Sequence, residues 1–167
     1  MHSSAASRAL AGTALLSFAA FLFALFSQHV LGMMPCAWCI LQRMICLAIA
    51  LVCLLGWAAR ARPAALRTAA ALALALAVGG VVAAWYQHTV AANLFSCDRT
   101  FADVVVTGSG LDALAPSVFG IYATCADSAT TLLGVRYELW TLALFVVLAV
   151  MSVLALVRRR APAASTH

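Results

Sequence analysis

The sequence predicts an all-α integral membrane protein, a bundle of four transmembrane helices formed by one domain, residues 1–167. Hydrophobic residues make up 66% of the chain and charged residues only 9%, whereas about a quarter of a soluble domain is charged. Four apolar segments, at 9–26, 40–57, 68–85 and 139–157, are each close to the roughly 20 residues that a helix needs to span a bilayer. Helices satisfy their own backbone hydrogen bonds in lipid, and these segments lack the alternation of membrane barrel strands.

The distribution of charge predicts how the bundle is oriented. Arginines flank the ends of the spans that would then face the cytoplasm, since positive residues favour that side: Arg8, Arg60, Arg62, Arg67, Arg158, Arg159 and Arg160. All five acidic residues fall near or within the opposite, long connection: Asp98, Asp103, Asp112, Asp127 and Glu138. We therefore expect both termini in the cytoplasm, a short periplasmic loop at 29–39 and a long one at 87–138. Lysine is absent and the arginines adjoin apolar segments, so nucleic-acid binding is not expected.

The first apolar segment has an alternative interpretation as a cleavable signal peptide, because its start is basic and its middle is apolar. The residues that follow it, Ser27-Gln28-His29, lack the small-x-small cleavage pattern. A membrane-spanning helix that is retained in the protein is therefore the preferred interpretation.

The six cysteines divide into two groups on this topology. Four lie in the outer loops, an oxidising compartment in a bacterium, and they can form two pairs: Cys36, Cys39, Cys97 and Cys125. Cys46 and Cys53 follow Cys39 at intervals of seven, so they share one helix face but are separated by about 10 Å of helical rise at each step. That spacing excludes a disulfide between them, and buried cysteines usually pack as small apolar residues.

A Pro-Cys-x-x-Cys motif begins the second span. Cys39 falls in the first helical turn, where free backbone N–H groups favour a thiolate. Arg43 lies one turn further on the same face, where a charged side chain is costly enough to indicate function and can donate to a ligand carbonyl. The alternative is an interfacial arginine whose head reaches the lipid phosphates. His88, at the outer end of the third span, is a secondary candidate for this site.

Longer stretches around these residues resemble the DsbB family of bacterial disulfide-forming membrane enzymes, and the resemblance covers nearly the whole chain. The stretches are Gln28-His29-Val30, Pro35-Cys36-Ala37-Trp38-Cys39-Ile40-Leu41-Gln42-Arg43, Tyr86-Gln87-His88-Thr89, Phe95-Ser96-Cys97-Asp98 and Cys125-Ala126. A lone Cys-x-x-Cys motif is weak evidence, but Pro-Cys-x-x-Cys-Ile followed by x-x-Arg at the entry to a membrane helix is specific.

The resemblance implies a disulfide between Cys36 and Cys39 in redox contact with a membrane quinone, either ubiquinone or menaquinone, with Cys39 nearest the ring. Arg43 corresponds to the family's quinone-site arginine, and His88 matches a histidine at the same helix end. No metal cofactor is implied.

The resemblance also implies a second disulfide, between Cys97 and Cys125 in the long loop. Cys97 is the sulfur that a soluble periplasmic partner, a DsbA-type thiol oxidase, would attack in its reduced form. The implied activity is that of a quinone-dependent protein-disulfide oxidoreductase in the bacterial inner membrane, with its active cysteines on the periplasmic side.

Two features depart from the commoner family pattern. Gln42 stands where some members carry Glu, which leaves the local charge more positive. The segment 101–119 is short and rather apolar, and we expect part of it to lie on the membrane surface as an amphipathic piece.

Three other interpretations are considered. Met33 and Met34 beside the first cysteine pair are soft ligands that suit a copper-handling protein, but copper leaves the loop cysteines unexplained. A bundle with two purely structural disulfides fits the cysteine positions alone. A vitamin-K-epoxide-reductase-like bundle would carry its quinone-facing Cys-x-x-Cys near the last helices, whereas it begins the second span here.

Overall fold

Four long helices dominate the computed structural model, which describes residues 5–91, 99–128 and 130–157. In chain order the elements are α1 (Ala5–His29), α2 (Ala37–Ala58), α3 (Pro63–Thr89), α4 (Phe101–Ser109), α5 (Leu111–Leu114), α6 (Pro116–Phe119), β1 (Thr131–Leu132), β2 (Val135–Arg136) and α7 (Tyr137–Val157). Helices α1, α2, α3 and α7 are long and apolar enough to cross a membrane. The predicted class of an all-α membrane protein with four spanning helices is confirmed, and each predicted span lies within one of these helices. The side that each terminus faces stays a prediction.

The four long helices pack as a ring, in which α2 contacts α1 and α3, and α7 contacts α3 and α1. Small residues allow the close approaches, as is usual between membrane helices. A Cβ at Gly80 of α3 would lie 2.4 Å from the ring of Phe145 in α7, and a Cβ at Gly56 of α2 would lie 2.3 Å from the Cβ of Ala69 in α3. Glycine at these positions therefore lets the paired helices approach more closely than a residue with a Cβ would allow.

The long connection between α3 and α7 contains short helices rather than an unstructured loop. Helix α4 begins with a capping box, in which Thr100 and Asp103 bond each other's backbone N–H groups. Its Ala102 and Val106 are buried, and α4 contacts α2, while Val104 remains exposed. One face of α4 is thus buried against the bundle, and the predicted position of the segment on a membrane surface stays a prediction.

A two-stranded antiparallel hairpin leads directly into α7. Strands β1 and β2 pair through Thr131 with Arg136 and Leu132 with Val135. The turn residues Leu133 and Gly134 both have positive φ, at 55° and 79°, as a tight two-residue hairpin turn requires. The hairpin places Leu132 and Leu133 over the outer end of the bundle, where both line the cavity described below.

Candidate thiol site and apolar cavity

Three cysteine sulfurs meet at the amino-terminal end of α2. The Sγ atom of Cys36 lies 3.3 Å from that of Cys39 and 2.9 Å from that of Cys125. Both separations exceed the roughly 2.05 Å of a disulfide bond, and the three residues are free thiols in this structure. Cys36 is buried, and the other two are half-buried. The structure therefore brings together one cysteine of the long loop and both cysteines of the Pro-Cys-x-x-Cys motif, with Cys36 in contact with each of the others.

The local backbone explains why Cys125 reaches this position. The carbonyl oxygen of Pro35 accepts hydrogen bonds from the backbone N–H groups of Tyr122, at 3.0 Å, and Ala123, at 3.3 Å. Proline before Cys36 holds an extended chain that leaves its carbonyl free, and Cys36 is the N-cap of α2 without a side-chain capping bond. These two bonds, which we call the Pro35 clamp, fasten the segment before Cys125 to the residue before Cys36.

The surroundings of Cys36 keep its thiol protonated. Contact with the Cys125 sulfur is the main cause that raises the pKa of Cys36 from 9.0 to about 11; the Cys39 contact opposes this rise and burial adds to it. The start of a helix predicted surroundings that favour a thiolate at this motif. At Cys36 the surroundings instead favour the neutral thiol. Cys36 is suited to sharing a proton or a bond with its neighbours rather than to reacting as a free thiolate.

Cys46 and Cys53 are not part of this cluster. Cys97, the predicted point of attack by the partner, falls outside the described residues, so its pairing with Cys125 stays a prediction. Cys46 and Cys53 are both buried within α2, as predicted for packing residues. Cys46 also lines the cavity, and its backbone carbonyl accepts a hydrogen bond of 2.8 Å from Ser17 of α1.

Arg43 is buried inside the protein, with 6% of its surface exposed. Its Nη1 donates to Oε1 of Gln28, at 2.5 Å, and to the carbonyl of Val118, at 3.1 Å, while Nη2 donates to the carbonyl of Ala24, at 2.9 Å. These bonds join α2 to α1 and to the long connection. A guanidinium has five N–H donors, so two remain after the bonds to described residues. The contacts are those of a side chain held within the protein, which favours a site over an interfacial role.

A mostly apolar, partly open cavity of about 550 Å³ adjoins the thiols, lined mainly by α1, α2, α7 and the hairpin. Cys39 and Arg43 both line it, together with Tyr137 from the start of α7 and Met33 from the short outer loop. Cavities that bind small molecules are typically about 300–1,000 Å³ and mainly apolar, with a few polar groups that orient the ligand. The Cys39 sulfur and the Arg43 cation therefore share one mostly apolar cavity.

An amide pair behind the thiols was not among the candidate site residues, although both members lie in the stretches that resemble the family. Gln42 and Gln87 are both buried, and Nε2 of Gln42 donates to Oε1 of Gln87 at 2.7 Å. The Nε2 atom of Gln87 lies 3.3 Å from Sγ of Cys39 and 3.7 Å from Sγ of Cys36. In the sequence, Gln87 directly precedes His88 at the helix end and belongs to the stretch Tyr86-Gln87-His88-Thr89.

His88 takes a different position from that of the other predicted residues. Its Nδ1 lies 3.2 Å from Oε1 of Glu138, and the same carboxylate oxygen pairs with Nε of Arg136 at 2.5 Å. His88 is not among the residues that line the cavity. The structure thus places it in a link between α3 and the start of α7, and its predicted contact with quinone stays a prediction.

Fold and site together define a helical, multi-pass membrane protein with a thiol cluster beside an apolar cavity. The model of the family "Disulfide bond formation protein DsbB" matches residues 6–155. The chain belongs to the DsbB family and is a disulfide-forming oxidoreductase.

Individual relatives agree with this assignment over most of their lengths. The chain is 35% identical over 138 residues to Disulfide bond formation protein B 1 of Pseudomonas putida, which covers 82% of each chain. It is 31% identical over 157 residues to Disulfide bond formation protein B of Polaromonas sp., covering 90% of each chain. The protein of the same name from Herminiimonas arsenicoxydans is 32% identical over 126 residues, 75% of this chain and 79% of the relative.

Proposed function

We propose that this protein is a quinone-dependent protein-disulfide oxidoreductase of the bacterial inner membrane. It reoxidises a soluble periplasmic DsbA-type thiol oxidase and passes the electrons through the pairs Cys97–Cys125 and Cys36–Cys39 to a membrane quinone, ubiquinone or menaquinone. The outer ends of the helices, with the reactive cysteines, face the periplasm. The observation that carries this proposal is the contact of Cys36 with both Cys125 and Cys39, with Cys39 lining the cavity.

The cavity fits a quinone head group. Its volume of about 550 Å³ and its mainly apolar lining suit a flat, lipid-soluble ring. The two N–H groups of Arg43 that make no bond to the described residues are donors for a ring carbonyl. A bound quinone would supply the oxidising power, since it takes up two electrons and two protons as it becomes a quinol.

Electron transfer between the pairs is a thiol–disulfide exchange. When Cys36 and Cys39 are joined and Cys125 is a thiolate, the Cys125 sulfur attacks Cys36, with which it is already in contact at 2.9 Å. A Cys125–Cys36 bond forms, the Cys36–Cys39 bond breaks, and the electron pair leaves on Cys39. Cys39 lines the cavity, so the reducing electrons end on the sulfur that a bound quinone would reach.

The soluble partner reacts with the loop pair, Cys97 and Cys125, rather than with the helix pair. A quinone stays in the lipid, whereas the soluble partner has its dithiol in the periplasm, so two cysteine pairs with different access are needed. A thiolate of the reduced partner attacks Cys97 of the Cys97–Cys125 disulfide: a partner–Cys97 bond forms, the Cys97–Cys125 bond breaks, and the electron pair leaves on Cys125, which is half-buried beside Cys36. The second thiol of the partner then attacks the partner's own bonded sulfur and releases Cys97, so the partner leaves as a disulfide.

A turnover experiment tests the proposal. Purified protein in lipid nanodiscs, supplied with a reduced DsbA-type protein and a short-chain ubiquinone or menaquinone, should oxidise the protein and form one quinol per disulfide. The double variant Cys36→Ser/Cys39→Ser should be inactive. The matched control is Cys53→Ala, because Cys53 is a buried cysteine on the same helix that does not line the cavity, and it should turn over normally.

A trapping variant tests the contact itself. Mild oxidation of Cys39→Ser/Cys97→Ser should give a Cys36–Cys125 disulfide, which mass spectrometry of an unreduced digest can detect. Absence of quinol formation by the parent protein would reject the proposed reaction. Turnover without any Cys36–Cys125 disulfide in the trap would instead reject the route through Cys36.

A further inference from the structure

The buried amide pair of Gln42 and Gln87 lies against the reactive sulfurs and has no role in the relay described so far. The two side chains are 5% and 6% exposed. Burial of an amide is unfavourable unless its donors and acceptors are satisfied. The hydrogen bond from Nε2 of Gln42 to Oε1 of Gln87, at 2.7 Å, satisfies one group on each side chain. It also determines which end of Gln87 faces the sulfurs.

That orientation points hydrogen-bond donors at the thiols. With Oε1 of Gln87 engaged by Gln42, its Nε2 is directed to Cys39 at 3.3 Å and to Cys36 at 3.7 Å. A side-chain amide nitrogen carries two N–H donors. A neutral thiol is a weak acceptor, but a thiolate is an anion, and hydrogen bonds to charged acceptors are roughly twice as strong as neutral ones. The contact with Cys39 therefore strengthens when that sulfur becomes negative.

We propose that Gln87 is a catalytic residue that stabilises the Cys39 thiolate through its donated N–H group, and that Gln42 is a positioning residue that keeps this group facing the sulfur. The inference rests on the proposed function, because that reaction releases the electron pair onto Cys39 when the Cys36–Cys39 bond breaks. No proton or electron passes through Gln87. Its contribution is to favour the reduced pair over the disulfide.

The identity of residue 42 is the most specific part of this inference. An amide at position 42 can donate to Oε1 of Gln87, whereas an ionised carboxylate can only accept. A Gln42→Glu change keeps the size of the side chain but attracts the N–H donors of Gln87 toward itself. Oε1 of Gln87 would then face Cys39 and oppose a thiolate. Glu at position 42 should therefore make the reduced Cys36–Cys39 pair less stable relative to the disulfide, even though Glu and Gln have nearly the same size and shape.

The test measures the redox equilibrium of the helix pair without quinone or partner. In a Cys97→Ser/Cys125→Ser background, the Cys36–Cys39 pair is equilibrated with glutathione, and formation of the thiolate is followed by its ultraviolet absorption as the pH is raised. Once the thiolate has formed, loss of one hydrogen bond to a charged group should shift the equilibrium about tenfold toward the disulfide, which equals about 30 mV. We expect this shift, and a thiolate that forms only at higher pH, in Gln87→Leu, Gln87→Glu and Gln42→Glu.

The control is Ser152→Ala, which removes a buried hydrogen bond to the carbonyl of Leu148 in α7. This variant also loses one buried hydrogen bond, but Ser152 does not contact the cysteines. The thiol–disulfide equilibrium of the variant should therefore match that of the parent. If Gln87→Leu fails to fold, the two Glu variants still decide the question. Equilibria within twofold of the parent in Gln87→Glu and Gln42→Glu would overturn the inference. A parent that cannot reduce quinone would overturn the proposed function instead, a separate outcome of a separate assay.

Discussion

Replacement of Arg43 by glutamine should weaken the use of quinone far more than the use of the protein partner. Three of the five guanidinium N–H groups bond to Gln28, Val118 and Ala24, and the remaining two are the donors assigned to the quinone carbonyl. A hydrogen bond from a charged donor contributes about 1.5–3 kcal/mol. Its loss corresponds to an apparent quinone affinity about 10- to 150-fold weaker.

Steady-state kinetics in nanodiscs can measure this effect. The concentration of a short-chain ubiquinone is first varied at saturating reduced partner, and the concentration of reduced partner is then varied at saturating ubiquinone. The KM for quinone should rise in Arg43→Gln while the KM for the partner stays within about twofold. Arg43→Lys should be intermediate, because lysine keeps the charge but cannot bond in several directions at once.

The matched control is Arg60→Gln, which removes the same charge beyond the opposite end of α2. The Arg60 guanidinium lies 4.6 Å from the ring centre of Trp57, remote from the cavity, so quinone kinetics should not change. Thermal unfolding in detergent must show that Arg43→Gln is folded, since the change also removes ties to α1. A folded Arg43→Gln variant with an unchanged KM for quinone would refute the assignment and leave Arg43 as a structural tie.

Further changes test packing and thiol chemistry. Gly80→Ala should destabilise the bundle by about 1–3 kcal/mol, because its Cβ would overlap the Phe145 ring. The control Gly79→Ala should be neutral or stabilising, because a Cβ there meets nothing within 4 Å. Equal melting temperatures of the two variants would contradict this prediction. Trp38→Ala should cost about 3–5 kcal/mol but Trp38→Phe much less, since the buried indole N–H has no hydrogen-bond partner among the described residues; denaturant titration can compare them. With its pKa raised to about 11 rather than 9.0, Cys36 should be alkylated at a rate that still rises about tenfold per pH unit between about pH 8 and pH 10; a plateau near pH 9 would show an unperturbed thiol.

The helices were predictable from sequence because hydropathy over about 20 residues is a local property. The structure extends each predicted span beyond its apolar run, to residues such as Ser27 and Gln87 that are polar but still helical. Hydropathy alone misses such ends, because polar residues can continue a helix and hydropathy carries no information on where its terminal N–H and C=O groups find partners. The helices of the long connection were less predictable because they are short and depend on packing against α2.

The site was predictable in part. The Cys36–Cys39 spacing and the i to i+4 relation of Cys39 and Arg43 follow from helix geometry, and the structure gives both residues a common cavity. Contact between Cys36 and Cys125 joins positions separated by 89 residues, and no local pattern specifies it. The amide pair depends in the same way on the packing of α2 against α3, so Gln87 could not be distinguished from an ordinary polar residue at a helix end.

The Pro35 clamp limits how far Cys125 can travel. Cys125 lies two residues beyond Ala123, whose N–H is bonded to Pro35, and two fully extended residues span about 7 Å. While the clamp holds, Cys125 can therefore move only a short distance, and Cys36 stays within its reach. In the proposed relay, electron transfer from Cys125 to Cys36 then depends on a small movement rather than on diffusion of a free loop, and any large displacement of Cys125 must first break two backbone bonds.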